Sequence, residues 1–427
     1  MSLATGCATS YKPVPINEVS FLKRSEVQTY GNVTVEVAVP SIEESRKLFD
    51  VKLDKKGIQP VWVRIKNGRD DFPILFLPIN MDPEYYSAAE ASYKTRFKSS
   101  KKLSKRKDLY FQQVAYHGNT VGPGKEESGY IFVEMDEGTK GVVVSVYGPK
   151  VSKNFVFILP VPGFRADYLE RDPEETFKDT EFVDIDDEGE FVNALEALPR
   201  AVKTTKDGDE EGDPLNLVLL GDFEDIIAAF TLAGWDETHA LYTGTALKTV
   251  WSFIWGTTYR YAPISSLYVF GRPQDVSFQK SRKTIHERNH MRFWLTHIRH
   301  QGRPVWLGQI SRDIGIKYTF RTGGLSTHVI DPDVDKDRGY VLSDLLRNQA
   351  LTAVGFVKGV DEAPFDNPRY NGGGDPFFTD GLRAVMLLSK VPVPYDEIEF
   401  VDWGVFPPDF DEYKDRWFDG QRPEPPE

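Results

Sequence analysis

The sequence predicts an α+β protein of two domains, an N-terminal antiparallel β-sandwich of immunoglobulin-like type over 19–166 and a C-terminal mixed α/β domain over 212–403. Three observations lead there. Short apolar stretches alternating with polar residues, and parted by Gly, Pro, Asn and Asp, dominate the first 166 residues. A continuous apolar stretch followed at once by a helical repeat opens the second half, as in a layered α and β arrangement. Length makes the division physical, since 427 residues exceed what one ordinary core holds.

Residues 1–18 read as a leader and linker. In the first domain the strand signals fall at 33–39, 58–65, 130–133, 142–147 and 155–161, where valine and aromatic residues recur. Turn residues such as Asn67-Gly68 punctuate them. One helical interruption is expected near 83–97. The basic run from Lys94 to Lys107 reads as a solvated helix face or loop, because it carries little apolar content. Residues 167–211 read as an acidic connector holding a short helix near 191–198, with Asp184, Asp186, Asp187, Glu188 and Glu190 exposed to water.

The second domain opens with a strand at 215–220, too apolar to have a wet face. Gly221 turns the chain, Asp222 caps a helix, and Phe223, Ile226, Ile227, Phe230 and Ala233 mark its inner face up to Gly234. A hairpin is expected at 290–310, since residues alternate from His290 to Thr296 and Gln301-Gly302-Arg303-Pro304 supplies a turn. A helix is expected to start at Asp331, with Asp331 as its cap, Pro332 in its first turn and Asp333 and Asp335 at the positive end of its dipole. Residues 382–388 read as a late strand, and the Pro- and acid-rich 404–427 as a tail.

A formal charge of −13 and a pI near 5.2 argue against nucleic-acid partners. No stretch reaches the roughly 20 apolar residues of a membrane span. One cysteine rules out an intramolecular disulfide and a cysteine-built metal site. That cysteine follows small residues, Leu3-Ala4-Thr5-Gly6-Cys7, and precedes a polar, Pro-containing stretch. It resembles the end of a bacterial lipoprotein signal, although the leucine is one residue early and the charged and apolar parts are missing. The expectation is a trimmed start, Cys7 as lipid anchor, and a membrane-tethered protein facing the periplasm.

Candidate chemistry concentrates between Tyr268 and Arg338, which hold five of the seven histidines. His286-Glu287-Arg288-Asn289-His290 has the spacing of a zinc-protease helix. On a strand, however, its two imidazoles lie roughly 13 Å apart at about 3.3 Å per residue, too far to share an ion. The strand reading instead sends His290, Arg292 and Trp294 to one side and Met291, Phe293 and Leu295 to the other. Arginine beside histidine suits a phosphate or carboxylate. Arg272, Asp275, Arg312, Asp313 and His328 join the candidate ligand set if the sheet gathers them. The simpler reading is that Arg292, Asp313 and Asp275 pair with each other and fix the domain's packing. Asp331, Asp333 and Asp335 do not make a calcium loop, because Lys336 replaces its glycine and Leu342 its closing glutamate. No Walker loop, serine elbow or dinucleotide fingerprint occurs, so neither cofactor nor metal is expected.

Several stretches together are similar to the LssY C-terminal domain family: Gly212-Asp213-Pro214-Leu215-Asn216, Tyr259-Arg260-Tyr261-Ala262-Pro263, Leu267 to Asp275, Arg288-Asn289-His290-Met291-Arg292-Phe293-Trp294, Val305 to Gly315, and Thr327-His328-Val329-Ile330-Asp331-Pro332-Asp333. They span about residues 212–390. The resemblance implies no established activity. Related chains join this domain to membrane modules of the lipid-phosphate phosphatase and DedA types, which are missing here. The expectation is therefore an envelope accessory lipoprotein whose C-terminal domain binds an anionic ligand, a phosphorylated lipid or carrier. The alternatives are a phosphoester hydrolase using His290 or His328 with Arg292, and a scaffold in which all these residues are structural.

Overall fold

The computed structural model describes residues 10–408 apart from 83, 98–99, 150, 164–165, 167–175, 179–180, 209, 239–263, 282–287, 319–325 and 373, and only the backbone of 281, 316–318 and 326–328. The fold is mixed α/β with strands predominating. The chain divides into two compact units, Met1–Phe164 and Arg165–Glu427.

The first unit has two four-stranded antiparallel sheets. One runs β1 (Glu26–Tyr30), β2 (Val33–Ala38), β3 (Ile58–Asn67) and β6 (Glu126–Glu134); the other runs β5 (Thr120–Val121), β4 (Ile74–Phe76), β7 (Thr139–Gly148) and β8 (Val151–Pro160). Alternate valines such as Val35, Val37 and Val63 meet Val142, Val144 and Phe157 in one shared core, because successive side chains leave a strand on opposite faces. The other face of the first sheet lies under aromatic residues around Phe49, Phe111 and Phe132.

Among the described residues this unit has three α-helices, α1 (Ile42–Phe49), α2 (Ala88–Lys94) and α3 (Lys101–Val114), of which α2 falls at the one interruption expected near 83–97. The start of α1 was written in the sequence as Ser41 with Glu44 three residues on, a capping box in which each side chain takes the other's backbone N–H. The basic run is also not uniformly solvated. Lys107 is fully buried, and its Nζ donates to the carbonyl and hydroxyl of Ser92 and to Thr95 Oγ1, all at the end of α2. It neutralises the negative end of that helix, while burial pushes its amine below the usual lysine range.

In the second unit one sheet of ten strands carries the architecture. At its centre lies β12 (Leu217–Leu220), four fully buried apolar residues with both faces covered. It runs antiparallel to β18 (Arg303–Tyr318) and parallel to β23 (Leu382–Leu388). Beyond β18 come β17 (Arg288–His300), β16 (Val276–Ser281) and β13 (Asp236–Glu237); beyond β23 come β20 (Leu351–Lys358) and β24 (Glu399–Val401). β19 (Ser326–Ile330) pairs with β18. The β17–β18 turn is Gln301-Gly302, both at positive φ (51° and 74°), the conformation that keeps a two-residue hairpin in step with strand twist. Gly308 is required inside β18, since a Cβ there would sit 2.3 Å from the Phe293 ring across the ladder.

Two helices cover one face of this sheet. Helix α5 (Phe223–Leu232) is capped by Asp222 and seats Phe230 against Phe278 and Phe293. Helix α6 (Val334–Arg347) packs on β18 and β23. Its cap is Asp333, whose side chain accepts from Lys336 N; Asp331 instead accepts from Asp333 N one turn earlier, so the helix begins later than its acids predicted. The other face receives Phe191 and Leu195 of α4 (Glu188–Glu196), together with Val202, against Trp294 and Leu307.

The stretch expected as an acidic connector is thus built into this unit from Val183 onward. β9 (Val183–Asp184) pairs with β17, β10 (Ala201–Lys203) pairs with β11 (Glu211–Pro214), and Arg383 pins the end of α4. That arginine, fully buried, donates to the carbonyls of Leu195, Leu198, Pro199, Leu215 and Gly359. The acids Asp184, Asp186, Asp187, Glu188 and Glu190 are exposed and a short helix is present, both as expected; the same helix also buries Phe191 and Leu195 on its other side, which packs the stretch into the unit.

Candidate functional site

β16, β17 and β18 place polar side chains side by side on the α4 face of the sheet, above the apolar contacts of Trp294. Register sets Gln279 beside His290 beside Ser311, and Ser277 beside Arg292 beside Gln309. Arg288 and Asp313 meet at the end of this ladder, Nε to Oδ2 3.4 Å. Side chains directly opposite on paired strands share a face, and alternate residues repeat it, so the hairpin alone builds a polar patch several residues across.

A chain of hydrogen bonds runs through the patch. His290 Nε2 lies 3.0 Å from Asp313 Oδ1, and its Nδ1 lies 3.4 Å from an Arg292 Nη1. A carboxylate only accepts and a guanidinium only donates, so the neutral ring protonated at Nε2 satisfies both contacts. Arg292 also donates to Gln309 Oε1 (3.1 Å) and, through Nε and Nη2, to the carbonyl of Ser265. Gln309 Nε2 and Ser311 Oγ both donate to Asp213 Oδ2, at 3.1 and 2.5 Å. Asn371 Nδ2 donates to Asp213 Oδ1 at 2.8 Å.

The patch floors a cleft of about 200 Å³ lined by Arg288, His290, Arg292, Asp213, Asp313 and Asp375, among others. All six are buried as residues, so what they expose faces the cleft. Arg288 is the informative member. Its Nη1 holds Gln279 Oε1 at 2.7 Å and its Nε holds Asp313, whereas Nη2 makes no hydrogen bond with any described residue. Burial pulls its guanidinium below the usual arginine range, and Asp313 opposes that. The cleft therefore keeps one unspent cationic edge.

The predicted residues divide. His290, Arg292 and Asp313 come together here. Arg272 and Asp275 do not: Arg272 grips Asp275 with two nitrogens (3.2 and 2.7 Å) and reaches the Leu295 carbonyl, while Asp275 Oδ2 accepts Leu295 N. They clamp the start of β16 to β17. Arg312 alternates with Ser311 and Asp313 and so leaves the sheet on the α6 face, beside Asn289. Asp337 of α6 is influenced electrostatically by Arg312, is 1% exposed, and among the described residues has no hydrogen-bond partner for either carboxyl oxygen. Burial raises its pKa to about 8, Asp331, Asp333 and Asp213 add to the rise, and Arg312 opposes it. The backbone of His328 pairs with Ile316, but its side chain, like Cys7 and His286, lies outside the described residues.

Sequence reasoning missed Arg288, Asp213, Gln309, Ser311, Asn371 and Asp375 as site residues. A signal existed for some of them, because Gln309, Ser311 and Asp313 are polar at every second position of an otherwise apolar strand. Asp213, Asn371 and Asp375 arrive from distant segments and carried none. Among the described residues no group of three or more carboxylate, imidazole or thiol side chains is arranged to hold a metal ion, and no helix is long and apolar enough to cross a membrane.

Residues 195–382 match the family model described as LssY C-terminus, the family that the motifs resemble. That span contains every residue lining the cleft. No curated protein matches the chain.

Proposed function

We propose that the second unit is a ligand-binding module for an anionic, phosphate-bearing ligand, carried on an accessory protein of the bacterial cell envelope. In this reading Cys7 tethers the chain to the membrane surface from the periplasmic side, and the first unit is a β-sandwich of immunoglobulin-like type. The ligand is a phosphorylated lipid or carrier. One observation supports the binding role above the rest: Arg288, His290 and Arg292 line a single cleft, and Arg288 Nη2 has no hydrogen-bond partner among the described residues. That Nη2 edge is open to the cleft, where a phosphate oxygen can take it as a charge-assisted hydrogen bond.

A hydrolase reading has one contact in its favour, the imidazole of His290 held at 3.0 Å by the Asp313 carboxylate. A nucleophile or proton donor needs a ring nitrogen facing the substrate, however, and both nitrogens of His290 already face protein groups. The binder is the better reading.

Titration of the whole protein with inorganic phosphate and ethyl phosphate, followed by calorimetry, tests it. Saturable binding that falls at least about tenfold in Arg288→Gln, with the circular dichroism spectrum kept, is the expected result. Absence of binding would leave only a scaffold. Hydrolysis of p-nitrophenyl phosphate that disappears in His290→Ala would replace the binder with the enzyme.

A further inference from the structure

The cleft is not simply cationic, and its second charge narrows the ligand. Asp213 lines it and accepts hydrogen bonds from Gln309, Ser311 and Asn371, all of them neutral donors. It forms no ion pair among the described residues. Arg288, at the far end of the ladder, keeps its Nη2 edge open. A bare phosphate bound at that edge would share this small cleft with an uncompensated carboxylate, in surroundings where like charges repel strongly. Neutral donors lower the cost of burying the Asp213 charge but do not cancel it.

From this bipolar lining we infer, resting on the phosphate-binding reading above, that the ligand is a zwitterionic aminoalkyl phosphate ester of the phosphoethanolamine type. The phosphate takes the Arg288 edge beside His290. The ammonium takes Asp213 Oδ1, which accepts only from Asn371 and retains the one acceptor site that the three donors leave. Spacing agrees with this. Asp213 bonds to Gln309 and Ser311, and Arg288 lies about one rung further along, a rung being roughly 7 Å for two strand residues. A short zwitterion with a hydrogen bond at each end covers that span. Size agrees as well, since about 200 Å³ is below the roughly 300–1,000 Å³ of pockets that enclose drug-sized ligands. The cleft holds a headgroup and leaves any tail outside.

The chemistry is shared by free phosphoethanolamine and by the phosphatidylethanolamine headgroup. The experiment compares ethyl phosphate, phosphoethanolamine and ethanolamine by calorimetry on the full chain, and then vesicles of phosphatidylethanolamine against vesicles of phosphatidylglycerol by sedimentation. Phosphoethanolamine is expected to bind about tenfold more tightly than ethyl phosphate, the worth of one ammonium–carboxylate hydrogen bond. Asp213→Asn should erase that ratio while ethyl phosphate binding persists, and Arg288→Gln should weaken both. Equal or weaker binding of phosphoethanolamine by the unmodified protein overturns the inference, whether or not the Asp213 variant folds, and leaves the phosphate reading standing. Failure of both ligands to bind overturns the two together. Preference for phosphatidylethanolamine vesicles identifies the lipid as the source, and binding of the free ester without vesicle preference identifies the soluble one; either supports the chemistry, whereas preference for phosphatidylglycerol contradicts it.

Discussion

Asp337→Asn should make the protein more stable as pH rises, relative to the unsubstituted chain. Asp337 is 1% exposed and neither carboxyl oxygen has a hydrogen-bond partner among the described residues, so its charged form is disfavoured: burial foremost, then Asp331, Asp333 and Asp213, raises its pKa from 3.8 to about 8. In the unfolded chain the same carboxyl gives up its proton near pH 4. Between those two values the folded state holds one proton more than the unfolded state, and stability must fall as pH rises through that window. Each pH unit costs about 1.4 kcal/mol, or about 4 kcal/mol between pH 5 and pH 8. The amide of the variant cannot ionise and escapes this slope while keeping the same shape. At roughly 2–4 °C per kcal/mol for a unit of this size, the melting temperatures of the two proteins should diverge by on the order of 10 °C across that range. Thermal melts followed by circular dichroism at pH 5, 6, 7 and 8 supply the measurement. Parallel curves, or a variant that loses stability faster than the parent, would show that the carboxyl finds water or a cation and ionises at little cost.

Arg383→Met should lower the urea midpoint of the second unit by the equivalent of about 3 kcal/mol or more, because five carbonyls lose their donor although a buried charge is also removed. Its guanidinium is already pulled down to about 10 by burial, and Arg383→Lys should recover only part of the loss, since an ammonium cannot reach all five oxygens. A midpoint unchanged in the Met variant would remove Arg383 from the account of how α4 is held. Asp333→Ala should cost about 1 kcal/mol at pH 5, where Asp337 is protonated, and Asp331→Ala clearly less, as only Asp333 caps the helix. The reverse order in denaturant titrations would place the cap at Asp331 after all.

Much of the site could be read from order along the chain, and the reason is local. Alternation over 290–296 placed His290 and Arg292 together on a strand, and the two-residue turn at Gln301-Gly302 made the hairpin that adds Asp313. The same periodicity argued correctly that α5 starts at Asp222 and that 382–388 is a strand. Errors arose where one residue type serves two environments. Lys107 announced solvent, yet it closes the end of α2; the acids of 184–190 are exposed as expected, but Phe191 and Leu195 beside them pack into the core. Arg272 and Asp275 were expected in the ligand set, and their pairing with each other and with the Leu295 backbone takes them out of the cleft.

By itself the sequence determined the strand and helix periods, the polar faces of β17 and β18 and the likeness of residues 195–382 to the LssY C-terminus model, because each of these depends on side chains within a few positions of one another. The tertiary structure alone decided which charges meet. Asp213 reaches Gln309 across 96 positions and Asn371 across 158, Arg383 reaches Leu195 across 188, and Arg288 shows its open edge only once Gln279 and Asp313 have taken the rest of its donors. Whether a buried charge is a clamp or a binding surface depends on how many of its hydrogen bonds are already made, and that balance is struck only when distant strands close on one another.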